Sequence, residues 1–208
     1  MSLVLDHAPR SPLRRLAYRW TPVYEKRLGY LYVRSRAISS RTNENYDSFP
    51  ADELRAAYRT FLGKPVFVNH RNDDPRRARG VIIDAALHED FLPNGDEDVW
   101  VELLHEVHAA RYPMLADAIR EGKVNRTSMG VNVDYSVCSV CGNKAYSPTE
   151  FCRHIPALKG QRIRRINAAT GKLESVLCHE RCYGLSFFEN SLLVEPPADP
   201  TAVVLGWD

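Results

Sequence analysis

Val124-Asn125-Arg126-Thr127-Ser128-Met129-Gly130-Val131-Asn132-Val133 reads as a turn running into a strand, with a hydroxyl followed two residues later by a glycine. Serine beside glycine is common in turns for purely conformational reasons. The stretch therefore takes its meaning from its flanks, Asn69-His70 before it and Glu189-Asn190-Ser191 after it. Directly upstream, residues 109–121 (AARYPMLADAIRE) put Met114, Leu115, Ala118 and Ile119 on one helical face, with Pro113 in the first turn and Gly122 as the stop. A helix end and a glycine turn thus position the Ser128 hydroxyl.

Working outward toward the N-terminus, residues 80–87 (GVIIDAAL) and 98–104 (DVWVELL) flank the turn-forming Pro93-Asn94-Gly95-Asp96 and predict an antiparallel pair. The apolar run Pro65 to Val68 is too short and too β-branched for a helix, and it delivers Asn69 and His70 to its end. A polar loop follows over residues 71–79. Residues 51–62 space Leu54, Ala57, Tyr58, Phe61 and Leu62 on one helical face before Gly63, and residues 28–38 (LGYLYVRSRAI) alternate as a strand does. The pattern predicts an α+β fold: a mostly antiparallel β-barrel flanked by helices, carrying a small metal-stapled insert.

The chain has 208 residues, enough for one sizeable core, and a formal net charge of +2 that offers no strong global attraction to nucleic acid. Local clusters at Arg10, Arg14, Arg15 and Arg19, and at Arg76, Arg77 and Arg79, read as solvated faces. No apolar run approaches the ~20 residues that cross a bilayer, and no secretory leader is evident at the N-terminus, so an intracellular protein is expected. Residues 1–27 read as a basic arm, 28–134 with 183–208 as the barrel, and 135–182 as the insert.

All five cysteines fall between Cys138 and Cys182, an odd number crowded into one stretch, which argues for metal binding over a disulfide framework. Cys138-Ser139-Val140-Cys141-Gly142 has the spacing of a knuckle that wraps one side of a tetrahedral zinc ion. Cys152 is the best third ligand. His154 takes the fourth place in our assignment, with Cys178, His179 and Cys182 as rivals. A segment with few long apolar runs buries little core, so a structural Zn2+ would supply what packing does not. His88, His105 and His108 flank strand ends and read as surface histidines.

The tail Phe187 to Pro200 reads as a strand leaving into a proline-rich turn, with Glu189 on the face shared by Phe187, Ser191 and Leu193. With this tail in place, the order Val68-Asn69-His70, Thr127-Ser128-Met129-Gly130 and Glu189-x-Ser191-Leu192 leading into Pro-Ala-x-Pro resembles the capsid maturation (prohead) proteases of tailed bacteriophages. The resemblance spans about residues 28–202. It implies an assemblin-like fold, related to the herpesvirus assembly proteases, and a serine peptidase that cuts coat and scaffold segments, and often itself, inside the immature capsid. The chain departs from the simplest family pattern in its insert and in the doubled Pro196-Pro197.

The chemistry these residues would perform is specific. A serine hydroxyl is hardly ionised at neutral pH and needs a base to take its proton. His70 suits that role because an imidazole titrates near ~6.5. Ser128 would be the nucleophile, and Glu189 would accept the other imidazole N–H; His154 is the rival third member, since assemblins use a second histidine. Arg126 is a candidate neighbour of the oxyanion. The expected substrates are the phage major capsid protein and scaffold in the host cytoplasm, within the assembling procapsid, and a homodimer is allowed. Membrane and nucleic-acid partners are not expected. Two other function classes compete: a zinc-containing nucleic-acid module using Arg162, Arg164 and Arg165, and a capsid-assembly protein that has kept the fold without activity.

Overall fold

A computed structural model describes residues 22–167 and 169–208. The Arg-rich cluster from Arg10 to Arg19 lies outside the described residues. Residues 22–27 pack on the barrel end: the Tyr24 ring lies 4.4 Å from that of Tyr32, and Lys26 pairs with Asp208 at 2.9 Å.

The expected barrel is present. Strands β1 (Leu31–Ser39), β2 (Asp47–Ser48), β3 (Pro65–Val68), β4 (Gly80–Phe91), β5 (Glu97–Val107), β6 (Arg126–Asn132), β7 (Tyr135–Cys138), β8 (Lys144–Ala145), β9 (Arg162–Ile166), β10 (Leu173–Leu177), β11 (Glu180–Tyr183), β12 (Ser186–Leu193) and β13 (Val203–Trp207) follow in chain order. Seven of them close into a barrel in the order β1-β13-β6-β12-β3-β4-β5. The pairs are antiparallel except β12 with β3, which run parallel. The hairpin β4–β5 extends beyond its expected ends at both strands. The closing strand β13 was not anticipated, although Val203-Val204-Leu205 is a short apolar run opening on two β-branched residues.

Period-two alternation decides what faces inward. On β5 the row Val99, Val101, Leu103, His105, Val107 is fully buried, while the alternate row supplies Asp98, Glu102 and Glu106 to ion pairs with Arg36 and Arg41, Arg34, and Arg27. Each fully buried Val or Leu of this kind contributes roughly 1.5–3 kcal/mol. His105 is thus a core residue rather than a surface one. Burial with no opposite charge beside it pushes its pKa down to about 3, so the ring stays neutral, 3.4 Å from Ser35 Oγ.

Two helices cover the barrel. Helix α1 (Ala51–Ala57) continues as a single tighter turn over Tyr58–Phe61, placing Leu54, Ala57 and Phe61 in the core, where Phe61 stacks on Phe187 at 4.0 Å. Helix α2 (Pro113–Arg120) begins at Pro113 and buries Ala116 and Ile119. It ends at Gly122 (φ 71°), where the N–H of Gly122 bonds Ile119 O and that of Lys123 bonds Ala118 O. This double closure is a Schellman cap, which requires the left-handed residue that glycine adopts freely. The chain leaves the cap and enters β6 within a few residues.

The insert forms a two-stranded sheet, β9 with β10, a short helix α3 (His154–Leu158), and a sheet β2-β11-β7-β8 whose edge strand β2 comes from the segment before α1. Lys159 ties it to the barrel side by bridging Asp47 (2.7 Å) and Glu180 (2.6 Å).

Candidate active site and metal cage

His70 is delivered by a turn. Asn69 extends the parallel ladder by donating its N–H to Leu192 O at 3.1 Å; the chain then reverses, with Arg71 N–H on Val68 O at 3.2 Å. Asn69 (φ 51°) and His70 (φ 54°) are both left-handed, the pattern of a type I′ turn. Asn and His tolerate this region better than most side chains. The turn aims the His70 imidazole back toward β12.

The carboxylate is delivered by a bulge. β12 pairs with β6 in register at Phe187↔Val131 and then, after a one-residue slip, at Glu189↔Gly130, Asn190↔Met129 and Ser191↔Ser128. Phe188 and Glu189 together oppose Gly130, so two consecutive side chains lie over one glycine. Phe187 stays in the core and Glu189 leaves it. This corrects the expected face-sharing of Glu189 with Phe187: unbroken alternation would have driven the carboxylate into the barrel interior. Gly130 is required here, because a Cβ would lie 2.5 Å from the Phe188 ring and 2.8 Å from Glu189 Cγ.

The result brings the expected residues together. Glu189 is fully buried; its Oε2 accepts from Ser191 Oγ at 2.8 Å, and its Oε1 has no hydrogen-bond partner but lies 3.6 Å from His70 Nδ1. That separation is an ion-pair contact, longer than a hydrogen bond. The adjacent carboxylate raises the His70 pKa above its ordinary value, outweighing partial burial. Ser128 and His70 line one cleft of about 690 Å³, walled also by Glu44, Asn69 and the Glu195–Ala198 turn. Beyond Ser128 the surface continues into a second depression of about 330 Å³ bounded by Gly130, Phe188 and Pro197.

His154 is elsewhere. Its ring nitrogen and the sulfurs of Cys138, Cys141 and Cys152 all lie within 4.8 Å of one another, close enough to hold a metal ion. The Cys152 Sγ to His154 Nδ1 separation is 3.7 Å. A tetrahedral ion with bonds of about 2.0–2.3 Å needs ligand atoms roughly 3.3–3.8 Å apart, so only a small contraction is required. The knuckle is built by Gly142 (φ 76°), whose N–H bonds Cys138 O at 2.9 Å, and by the Val140 N–H directed at Cys138 Sγ. Burial opposes ionisation of Cys152, but hydrogen bonds with Cys141 and His154 outweigh it and bring the thiol down to about 7; burial pushes Cys141 up to about 11.

Of the rival ligands, Cys178 is buried beside the cage with its Sγ 3.5 Å from His154 O. His179 turns its Nδ1 to Leu177 O at 3.0 Å, and Cys182 belongs to the barrel core. Arg126 pairs with Leu193 at the far end of β6 from Gly130. Sequence reasoning missed Ser191 as the partner of Glu189, although its place two residues after the acid was the available signal. No family model, curated protein or solved structure matches the chain. Among the described residues, no helix is long and apolar enough to cross a membrane.

Proposed function

We propose that the protein is a serine endopeptidase in which Ser128 attacks the peptide carbonyl, His70 takes the Ser128 proton and then gives it to the leaving amine, and Glu189 stabilises the imidazolium. One observation carries the reading: a buried carboxylate oxygen with no hydrogen-bond partner faces the only imidazole in the cleft that Ser128 also lines, among the described residues. An unpaired buried acceptor costs about 1–3 kcal/mol, and such a cost is expected where the partner arrives only when the histidine ring is engaged. Glu189 is preferred to His154 for the third place, because the His154 ring lies among the three cysteines.

The resemblance to prohead proteases gives the activity its context: cleavage of coat and scaffold segments during procapsid maturation, with an assemblin-like fold. In the insert, three thiolates and an imidazole form the closed donor set that suits structural zinc, which would hold the knuckle and α3 together and leave no open position for catalysis.

Co-expression with the neighbouring coat and scaffold proteins tests the reading. The wild type is expected to shorten them and Ser128→Ala to leave them intact; the same products in both would overturn it.

A further inference from the structure

We propose that the arginine-lined groove beside His70 is the subsite that reads carboxylate side chains on the C-terminal side of the scissile bond. The inference rests on the endopeptidase reading for its role as a subsite. A depression of about 480 Å³ shares its Asn69 wall with the Ser128 cleft and is lined by Arg71, Arg77, Arg79 and Arg111. Arg77 is neutralised by Asp73 at 3.2 Å. Among the described residues, Arg71, Arg79 and Arg111 have no carboxylate partner. Arg79 and Arg111 are nevertheless held in place, with their guanidinium carbons 4.4 and 5.4 Å from the centre of the Tyr112 ring.

Three uncompensated guanidinium groups in one concave wall focus a positive potential. They are planar, always charged, and shaped to clamp a carboxylate with paired hydrogen bonds. The rest of the wall is apolar: Met114, on the first turn of α2, is 85% exposed, and Val68, Pro113 and Leu115 adjoin it. Charge complementarity with an apolar floor fits an extended peptide that alternates acidic and apolar residues. A nucleic-acid backbone would leave that floor uncovered.

The side of the bond follows from the proton path. The histidine of such a site protonates the departing amine, so the leaving segment lies on its side. Here the groove is lined by Asn69 and Arg71, the residues on either side of His70, while the depression at Gly130 and Phe188 includes Ser128. An acid a few residues after the cut therefore meets the wall of Arg71, Arg79 and Arg111.

The experiment is digestion of a peptide library, made by cutting a denatured proteome, with wild type and with Arg71→Gln/Arg111→Gln, both exposed positions. Enrichment of Asp and Glu within a few residues after the new cut, falling about tenfold in the double variant and regained only in part in Arg71→Lys/Arg111→Lys, which keeps the charge without the fork, is expected; one charge-assisted hydrogen bond accounts for about that factor. Cleavage with no acidic preference, or with acids before the cut, overturns the subsite while leaving the protease intact. A parallel anisotropy titration of Ser128→Ala uses a labelled Glu/Leu peptide, its Gln/Leu counterpart and a single-stranded DNA oligomer. If the wild type cuts nothing, the protease reading fails, and Glu/Leu binding at least tenfold above Gln/Leu keeps the acid-reading groove. Equal binding, or tighter binding of the DNA, removes that too.

Discussion

The barrel site and the cysteine cage are held by different forces. In the barrel, His70 sits on the turn that leaves β3, Ser128 and Glu189 lie on the neighbouring strands β6 and β12, and their positions follow from main-chain register over a large apolar core. In the insert, the buried apolar cluster around the cage is Cys138, Val140, Ile155 and Cys178, two of them thiols. So small a cluster supplies little hydrophobic stabilisation. Register keeps geometry without a ligand, whereas a knuckle of this size is where a bound metal would contribute most.

The largest expected effect breaks the comparison at the insert. Binding of a structural zinc is worth about 10–16 kcal/mol in small domains at neutral pH. Prolonged chelation, or Cys138→Ser, is expected to remove the metal and expose amides of residues 138–160 to hydrogen exchange, while amides of β5 and β12 keep their protection. Simultaneous loss of protection in barrel and insert would show that the cage supports both.

Glu189→Gln comes next and acts on the barrel alone. The amide is isosteric but cannot stabilise an imidazolium, and the comparable change in a serine protease triad costs about 10⁴ in turnover. The pH dependence has a definite sign. Glu189 raises the His70 pKa, and the base works only when neutral. The acid limb of kcat/KM in the wild type therefore lies above the ordinary imidazole value of ~6.5. In Glu189→Gln it moves to lower pH, even as the plateau falls. For stability the sign is reversed: a raised His70 pKa favours the folded state at low pH, and that contribution fades as pH rises through the folded value. An acid limb unmoved by the substitution would disconnect the two residues.

Gly130→Ala is smaller and tests the bulge. The added methyl meets the Phe188 ring and Glu189 Cγ inside contact distance, so the carboxylate shifts while the cage is untouched. A displacement of about 1 Å at a catalytic group costs on the order of 10²-fold in rate. Single-turnover cleavage should show this loss with metal content unchanged; a rate within twofold of wild type would mean that the bulge relaxes freely.

What was legible in the sequence divides along the same line. The candidate metal cluster could be read in part because Cys-x2-Cys-Gly is a local device, complete within a few residues; spacing left the fourth place open among His154, Cys178, His179 and Cys182, and the fold brings His154 to the three cysteines. The barrel strands could be read from alternation, whereas His70, Ser128 and Glu189 were singled out only by their order along the chain taken together with the resemblance to prohead proteases. The face of Glu189 could not. A bulge is a property of two strands at once, and nothing in Phe187-Phe188-Glu189-Asn190 marks the slip until Gly130 is known to lie opposite. His105 was misread for a different reason: the strand was expected to end at Leu104, leaving His105 at its edge, whereas β5 continues to Val107 and alternation from Val99 puts the ring inward. The parallel pairing of β3 with β12 and the closure by β13 are long-range contacts that no local pattern encodes.

The smallest effect sharpens the barrel side at its turn. Asn69 and His70 both occupy the left-handed region, where a residue without a Cβ is unstrained and a β-branched one is strained by about 1–3 kcal/mol. Asn69→Gly should therefore change stability by no more than about 1 kcal/mol, because the relief of native strain is offset by greater freedom in the unfolded chain. Asn69→Val should lower it by more than that. If the turn only delivers His70, Asn69→Gly keeps its cleavage rate within a few fold. If the Asn69 side chain itself contacts substrate, where its two clefts meet, the glycine variant loses rate with its thermal midpoint unchanged, and only a rate measurement beside a melting curve separates these outcomes.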